Sequence, residues 1–498
     1  MMKWSRRKIL SDFSVALIAQ YLTQFILFFR NFVFAKLLGP SDFGIYASIF
    51  LFFSYGTYAN LGIIDGISRI APYEIGSGNE KKVKNLFGAG LFGLNFITSA
   101  FVVALVIYSI ISPFQTIVEN RFSVILTALS ILLNQNFLFV ILYLRIKHNF
   151  KKSYILQLFQ AILDFTLSVI LMLKFKVLGI FVGMMLGFLI TLLFSFKDLL
   201  KEIKPNFNLN LVKEILRIGF QILIVGFTYG FLMSLDKFSV ANLFEKSQMG
   251  IYSIAVGLGV IPYFISSTLG QFIGQRMLEE FGRSKLKENL KIFLDESLLV
   301  LAFITPLVSI LTIAFAEPFI YLFLPKYEES LRYVDKLAIA YYFLSLGAIL
   351  GTFLISINQQ IKILILNLSV IPIVLFLNYV VYKNNLGLLG IAYVTFFNFF
   401  VRTFFLFIFS YGNYASLLSS IISFAKFSFP SVPILFAFAL KFFIFDVYLK
   451  FYLRILISLV WLVFAVYYLL RKTQIVSNMI EIISSKIGVY LSRISDLF

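Results

Sequence analysis

The chain has no cysteine and a single histidine, His148. The first absence excludes disulfides, thiolate metal sites and cysteine nucleophiles, and the second leaves little for imidazole chemistry. Charge is also scarce: Asp, Glu, Lys and Arg make up 13% of 498 residues, against about a quarter in a soluble domain. Carboxylates are the scarcer sign, 24 against 43 basic groups. There is no GxxxxGK[ST] loop to cradle ATP, and no outward loop is long enough to house a catalytic domain, so the chain is not expected to be an enzyme. What is there instead is apolar: 60% of residues are hydrophobic, 62 of them Phe, and the mean hydropathy is +0.93.

The apolar runs repeatedly reach the roughly 20 residues that carry a helix across about 30 Å of hydrocarbon, and they lack the alternation of barrel strands. The expectation is an all-α polytopic membrane protein with fourteen spans, among them 43–72, 215–244, 249–275 and 429–447. The run from Phe13 to Leu38 is too long for a signal peptide and reads as the first span. Basic residues crowd alternate loops: Arg6, Arg7 and Lys8; Lys81, Lys82 and Lys84; Lys147, Lys151 and Lys152; Lys197, Lys201 and Lys204; Arg283, Lys285 and Lys287; Lys426; Arg471 and Lys472. The positive-inside rule then puts both termini in the cytoplasm of a prokaryotic cell membrane. Topology and anionic lipid account for the net charge of +19, and nucleic acid is not expected as a partner.

Something has been built twice. FAKLLGPSDFGIY at 34–46 and VANLFEKSQMGIY at 240–252 each turn one apolar stretch into another. Sliding the chain by 206 residues aligns Phe32 with Phe238, Ser41 with Ser247, Gly44-Ile45-Tyr46 with Gly250-Ile251-Tyr252, and further on Glu74 with Glu280. Six spans lie between the two corners, an even number, so the copies have the same orientation. This is a parallel repeat about the membrane normal, as in transporters whose path lies between two lobes. Its expected organisation is an N-terminal lobe over 1–205, a C-terminal lobe over 206–410, two extra spans over 411–472 and an amphipathic cytoplasmic tail helix over 473–498. In the first corner Gly39 can take a left-handed conformation while Ser41 or Asp42 caps the next helix, and Ser247 can cap in the second.

With Leu38-Gly39-Pro40, Asp42-Phe43-Gly44, Ile45-Tyr46, Leu61-Gly62 and the Lys-rich loop after them, the N-terminal third resembles the Wzx-like polysaccharide flippases of the multidrug/oligosaccharidyl-lipid/polysaccharide (MOP) exporter superfamily. The resemblance implies a MATE-like architecture of two six-helix lobes forming a V around a cavity. It also implies a lipid-linked oligosaccharide as cargo, with membrane lipids and other glycan-assembly membrane proteins as partners. A cation-coupled multidrug extruder and a lipid-II-type flippase of the same superfamily are the alternatives.

A phosphate or pyrophosphate head needs a counter-charge inside the membrane. Arg30, Arg69, Lys237 and Arg402 are the candidates to bind it, since an unpaired arginine near the midplane costs about 2.5 to 3.5 kcal/mol and must face a wet cavity or a partner. Asp65, Asp164 and Asp236 are candidate gate or coupling groups. The repeat maps Arg30 onto Asp236, which suggests a contact that makes and breaks, and Asp65 and Arg69 have the i, i+4 spacing of a helix ion pair. Asn134, Gln135 and Asn136 can meet sugar hydroxyls or bond to neighbouring helices. No organic cofactor or metal is expected, and Na⁺ or H⁺ coupling is left open.

Overall fold

Apolar runs of this length can satisfy their backbone inside hydrocarbon as helices. The computed structural model describes residues 6–112, 115–284, 286–444 and 446–472, and these contain helices and no strand. The first helices are α1 (Arg6–Gly56), α2 (Ile63–Gly76), α3 (Glu80–Ile111), a short α4 (Gln115–Glu119), α5 (Arg121–Ile146), α6 (Phe150–Glu202), α7 (Leu209–Met233), α8 (Leu235–Leu243) and α9 (Lys246–Gly259). Then come α10 (Ile261–Ser284), α11 (Glu288–Phe323), α12 (Leu331–Ser356), α13 (Gln360–Lys383), α14 (Gly387–Tyr411), α15 (Leu417–Ser428), α16 (Val432–Phe443) and α17 (Val447–Lys472). The expected tail helix over 473–498 lies outside the described residues.

Among the described residues eleven helical stretches are long and apolar enough to cross a membrane, or twelve if α9 and α10, bent by 51°, form one span. Two of the stretches are hairpins. In α1 the turn is at Gly39 (φ 77°, ψ 173°), a backbone conformation confined to glycine. Tyr46 comes back against Phe34, ring centroids 5.4 Å apart. In α6 the turn is at Lys176 (φ 49°). The total is compatible with fourteen spans.

Three expectations change in detail. Spans 43–72 and 215–244 are each broken, at 57–62 and at Ser234. The thirteenth span begins at Leu417, about twelve residues before the expected start, because a single 3-10 turn at Phe429–Ser431 carries the helix past Pro430. Lys426 therefore sits inside a helix, its ammonium 5.6 Å from the Phe427 ring. In the second corner Ser247 lies within the first turn of α9, past the capping position. There Gln248 accepts from the Glu245 N–H at 3.2 Å, half of a capping box.

The chain forms two compact units, Met1–Ser253 and Ile254–Phe498. The first extends past the sequence repeat at 205/206 because α7, α8 and the start of α9 pack on α1 and α2. Glycine permits this closeness. A Cβ on Gly44 would overlap the Lys246 carbonyl and one on Gly250 would overlap the Pro40 carbonyl; another on Gly219 would overlap that of Gly62. Gly44 and Gly250, like Pro40 and Lys246, are repeat-equivalent. The two corners thus meet each other in a reciprocal contact, flanked by Lys176–Asp42 at 3.5 Å and Lys246–Glu119 at 2.5 Å.

In the second unit α17 is stacked on α11. Trp461 lies flat on Phe303, centroids 5.4 Å apart, and donates from Nε1 to the Phe303 carbonyl at 2.9 Å. Near the other end Glu317 of α11 takes Lys450 at 2.9 Å and Arg454 at 3.1 Å, both from α17. On the opposite side of this unit, in the loop after α14, Tyr414 donates to the Lys287 carbonyl at 2.7 Å. Burial, with Glu288 and Asp295 nearby, pushes the Tyr414 hydroxyl well above its ordinary value, so it stays a donor.

Candidate functional site

Arg30 lies nine residues before the Gly39 turn, roughly 13 Å at 1.5 Å per residue, which puts it deep in the membrane. A guanidinium there needs a partner, and the structure supplies Asp164 from the first arm of α6. Both side chains are buried. The expected contact with Asp236 is therefore not the one made. Asp236 instead accepts from Tyr252 Oη at 3.0 Å and from the Lys237 N–H at 2.7 Å. The sequence offset pairs symmetry mates; spatial packing inside the first six spans pairs Arg30 with its neighbour.

Asp164 is held from behind. Ser168 donates to its Oδ1 at 3.2 Å, and the second arm of α6 presses on its backbone through Gly179, Gly183 and Gly187, where a Cβ would crowd Leu171, Ser168 and Asp164 in turn. Small residues every fourth position let two membrane helices approach to backbone contact. On the other side the Arg30 guanidinium lies 5.7 Å from the Phe34 ring and 5.6 Å from the Phe50 ring, an arrangement favourable for a desolvated cation. One of its donors, Nε, is buried without a hydrogen-bond partner. The site is a caged ion pair with a spare N–H.

The broken second span is the other built feature. Breaking a helix frees carbonyls that hydrocarbon cannot solvate. Gln135 of α5 donates to the Gly56 and Thr57 carbonyls at 2.8 and 2.9 Å. It also accepts from Asn60 at 3.0 Å, while Asn60 Oδ1 accepts from the Gly62 N–H at 2.9 Å. Asn136 and Asn95 of α3 bond to each other reciprocally, at 2.9 and 3.2 Å. Two of the three polar residues at 134–136 thus bond to neighbouring helices, and Asn134 is buried beside them.

The remaining candidates are dispersed. Asp65 is half-buried in the first turn of α2, a position its charge favours. Arg69 is exposed, and no ion pair joins it to Asp65: for an exposed arginine the small gain of such a pair does not offset the loss of side-chain freedom. Lys237 is half-buried on α8. Arg402 is buried in the second unit and donates from Nε to Asn367 at 3.1 Å. Sequence reasoning missed Asn60, the α6 glycines and the Glu317–Arg454 pair; the four-residue glycine spacing and a carboxylate inside an apolar run were the available signals.

Residues 33–332 match the family described as polysaccharide biosynthesis protein. The chain belongs to that family. No curated protein matches it in sequence. Among solved structures it is similar to the lipid II flippase MurJ in an inward closed conformation, with a TM-score of 0.73 at 16% identity over 92% of this chain and 98% of that one. It is also similar to an inward-facing multidrug resistance MATE family transporter of the MOP superfamily, with a TM-score of 0.67 at 14% identity over 83% of this chain and 98% of that one. A MOP superfamily transporter from Pyrococcus furiosus follows at 0.54, 16% identical over 83% and 94%. The family agrees with the resemblance read from the corner motif, and the fold is that of MurJ and the MATE transporters.

Proposed function

We propose that this chain moves a lipid-linked oligosaccharide from the cytoplasmic to the outer leaflet of a prokaryotic cell membrane by alternating access, with both termini cytoplasmic. The observation that carries the reading is the Arg30–Asp164 pair, a permanent cation kept in the membrane interior of a polysaccharide-biosynthesis family member. Guanidinium keeps its charge at any relevant pH, and its planar fork matches phosphate oxygens. Asp164 neutralises it in this state, and the spare Nε is where an incoming phosphate begins to compete. When phosphate replaces Asp164, the carboxylate is released, and a proton or Na⁺ can take the place of the arginine. The reciprocal Gly44–Gly250 corner is the contact between the two repeat copies that alternation would part.

The test is a set of four variants. Arg30→Gln alone leaves Asp164 buried and unpaired, a loss of about 3 to 5 kcal/mol, so its protein level falls. Arg30→Gln with Asp164→Asn restores abundance, yet flipping of a lipid-linked sugar in proteoliposomes stays lost. Arg30→Lys falls between, because charge survives and the fork does not. Asp164→Asn alone leaves the buried Arg30 without its carboxylate, so its protein level falls as well. Full flipping by the double variant would remove Arg30 from cargo binding. Extrusion of organic cations by the wild-type chain, with no flipping, would favour the multidrug reading.

A further inference from the structure

One feature of the first unit is used by neither the caged pair nor the broken span: a groove of about 1370 Å³ between α3, α5 and the second arm of α6. Its walls are Phe92, Phe96, Val103, Leu189 and Leu193, and its floor includes the small residues Ser99 and Ala100. Phe96 and Leu193 are largely exposed, at 68% and 70%. The asparagine amide N–H groups inside it are already engaged. Asn95 and Asn136 each give one amide N–H to the other and one to a carbonyl four residues back in the same helix, Leu91 and Leu132 respectively. The pair offers no donor to an occupant, so the groove suits a hydrocarbon chain.

Two dimensions limit that chain. The lining runs from Leu91 to Val103 on α3 and from Leu189 to Lys201 on α6, about 18 Å along each helix at 1.5 Å per residue. That is the depth of one leaflet of a roughly 30 Å core. The polar end is also fixed: Lys197 and Lys201 line the mouth one helical turn apart, both exposed, where α6 reaches the basic face. Two acids are close by in sequence, Asp198 and Glu202, and Glu202 is held by Lys147 at 2.8 Å. An ordinary-length tail below two ammonium groups describes a phospholipid.

We infer that this groove binds one membrane phospholipid with an anionic head group, its tail between α3, α5 and α6 and its phosphate at Lys197 and Lys201, in the leaflet beneath the basic face. The test uses the full chain in detergent, titrated with phosphatidylglycerol or with phosphatidylcholine of the same tails and read by native mass spectrometry. Wild type retains one phosphatidylglycerol in preference to phosphatidylcholine. Lys197→Gln with Lys201→Gln, both exposed and so harmless to folding, weakens phosphatidylglycerol by roughly thirty-fold, from about 1 kcal/mol per basic group at a membrane surface. Ala100→Phe, which fills the floor at another exposed position, removes retention of both lipids. Equal retention of the two lipids, or an Ala100→Phe chain that still holds phosphatidylglycerol, would overturn the assignment; so would preferential retention of an added polyprenyl phosphate.

Discussion

At the residue scale, the membrane interior makes each polar side chain answer for its cost, and the answers here are specific. By sequence Gln135 is a candidate for sugar hydroxyls or for helix bonding, and in the structure its amide closes the gap left where the second span breaks. Gln135→Leu removes three hydrogen bonds, two to the Gly56 and Thr57 carbonyls and one from the Asn60 amide, each worth about 0.5 to 1.5 kcal/mol net; thermal unfolding in detergent should show a drop in Tm. A stable Gln135→Leu chain that fails only in transport would return this residue to the cargo path. Glu317 makes the same point in the second unit: Glu317→Gln leaves Lys450 and Arg454 without their carboxylate beside a cavity of about 790 Å³ lined by charged residues. A loss of about 1 to 3 kcal/mol follows, below the 3 to 5 of a fully buried pair, readable in the same melting experiment. Arg30, Asp164 and Asp236 were legible in the sequence as intramembrane charges, because any charge in an apolar run stands out. Their pairing was not legible, because an offset relates equivalent positions and says nothing of which neighbours a hairpin brings together.

At the element scale, glycine decides which helices touch. The repeat was visible as letters, Gly44-Ile45-Tyr46 against Gly250-Ile251-Tyr252, and the reason for retaining glycine in both copies is visible in the contact: each Cα sits against a carbonyl of the other corner. The breaks at 57–62 and Ser234 were illegible, since neither contains proline and both interrupt otherwise continuous hydropathy. At the first, Gln135 and Asn60 supply what the lost helical bonds did, and at the second the Ser234 hydroxyl bonds to the Gly230 carbonyl at 2.9 Å and to Tyr55 at 2.9 Å. A consequence is testable in a chain that is naturally free of cysteine. Met249→Cys is buried in the closed corner, at 1% exposure, and should react slowly with an impermeant maleimide added outside whole cells. Adding Gly44→Ala forces the corners apart and should raise that rate by about ten-fold or more, as expected for a closed state destabilised by at least 1.4 kcal/mol. An unchanged rate would mean the corner is a fixed joint. Gly183→Val acts on the other glycine contact, prising apart the arms of α6 behind Asp164, and should lower the amount of folded protein.

At the scale of the whole molecule, orientation rests on charge and on parity. Moving Lys426 into a helix removes one basic residue from the loops counted, but Lys81, Lys82 and Lys84 lie in the first turns of α3, Lys151 and Lys152 in the first turn of α6 and Lys201 in its last turn, so these clusters still mark helix ends. Parity turns on the α9–α10 pair, whose 51° bend is compatible with a crossing or with a re-entrant fold. Reporter fusions at three places separate these. A fusion within 203–208 follows six spans, one within 327–332 follows nine, and one after Arg471 follows all fourteen. If α9–α10 crosses, the first and third reporters are cytoplasmic and the second is outside, since three spans separate the first from the second and five separate the second from the third. If the pair turns back, only two crossings separate the first from the second, and they report the same side. The charge pattern argues for crossing, because a re-entrant pair would leave Lys326 and Arg332 on the side of the basic clusters and carry either those before α7 or those after α17 to the wrong face. Matching signals from 203–208 and 327–332 would therefore overturn the fourteen-span count.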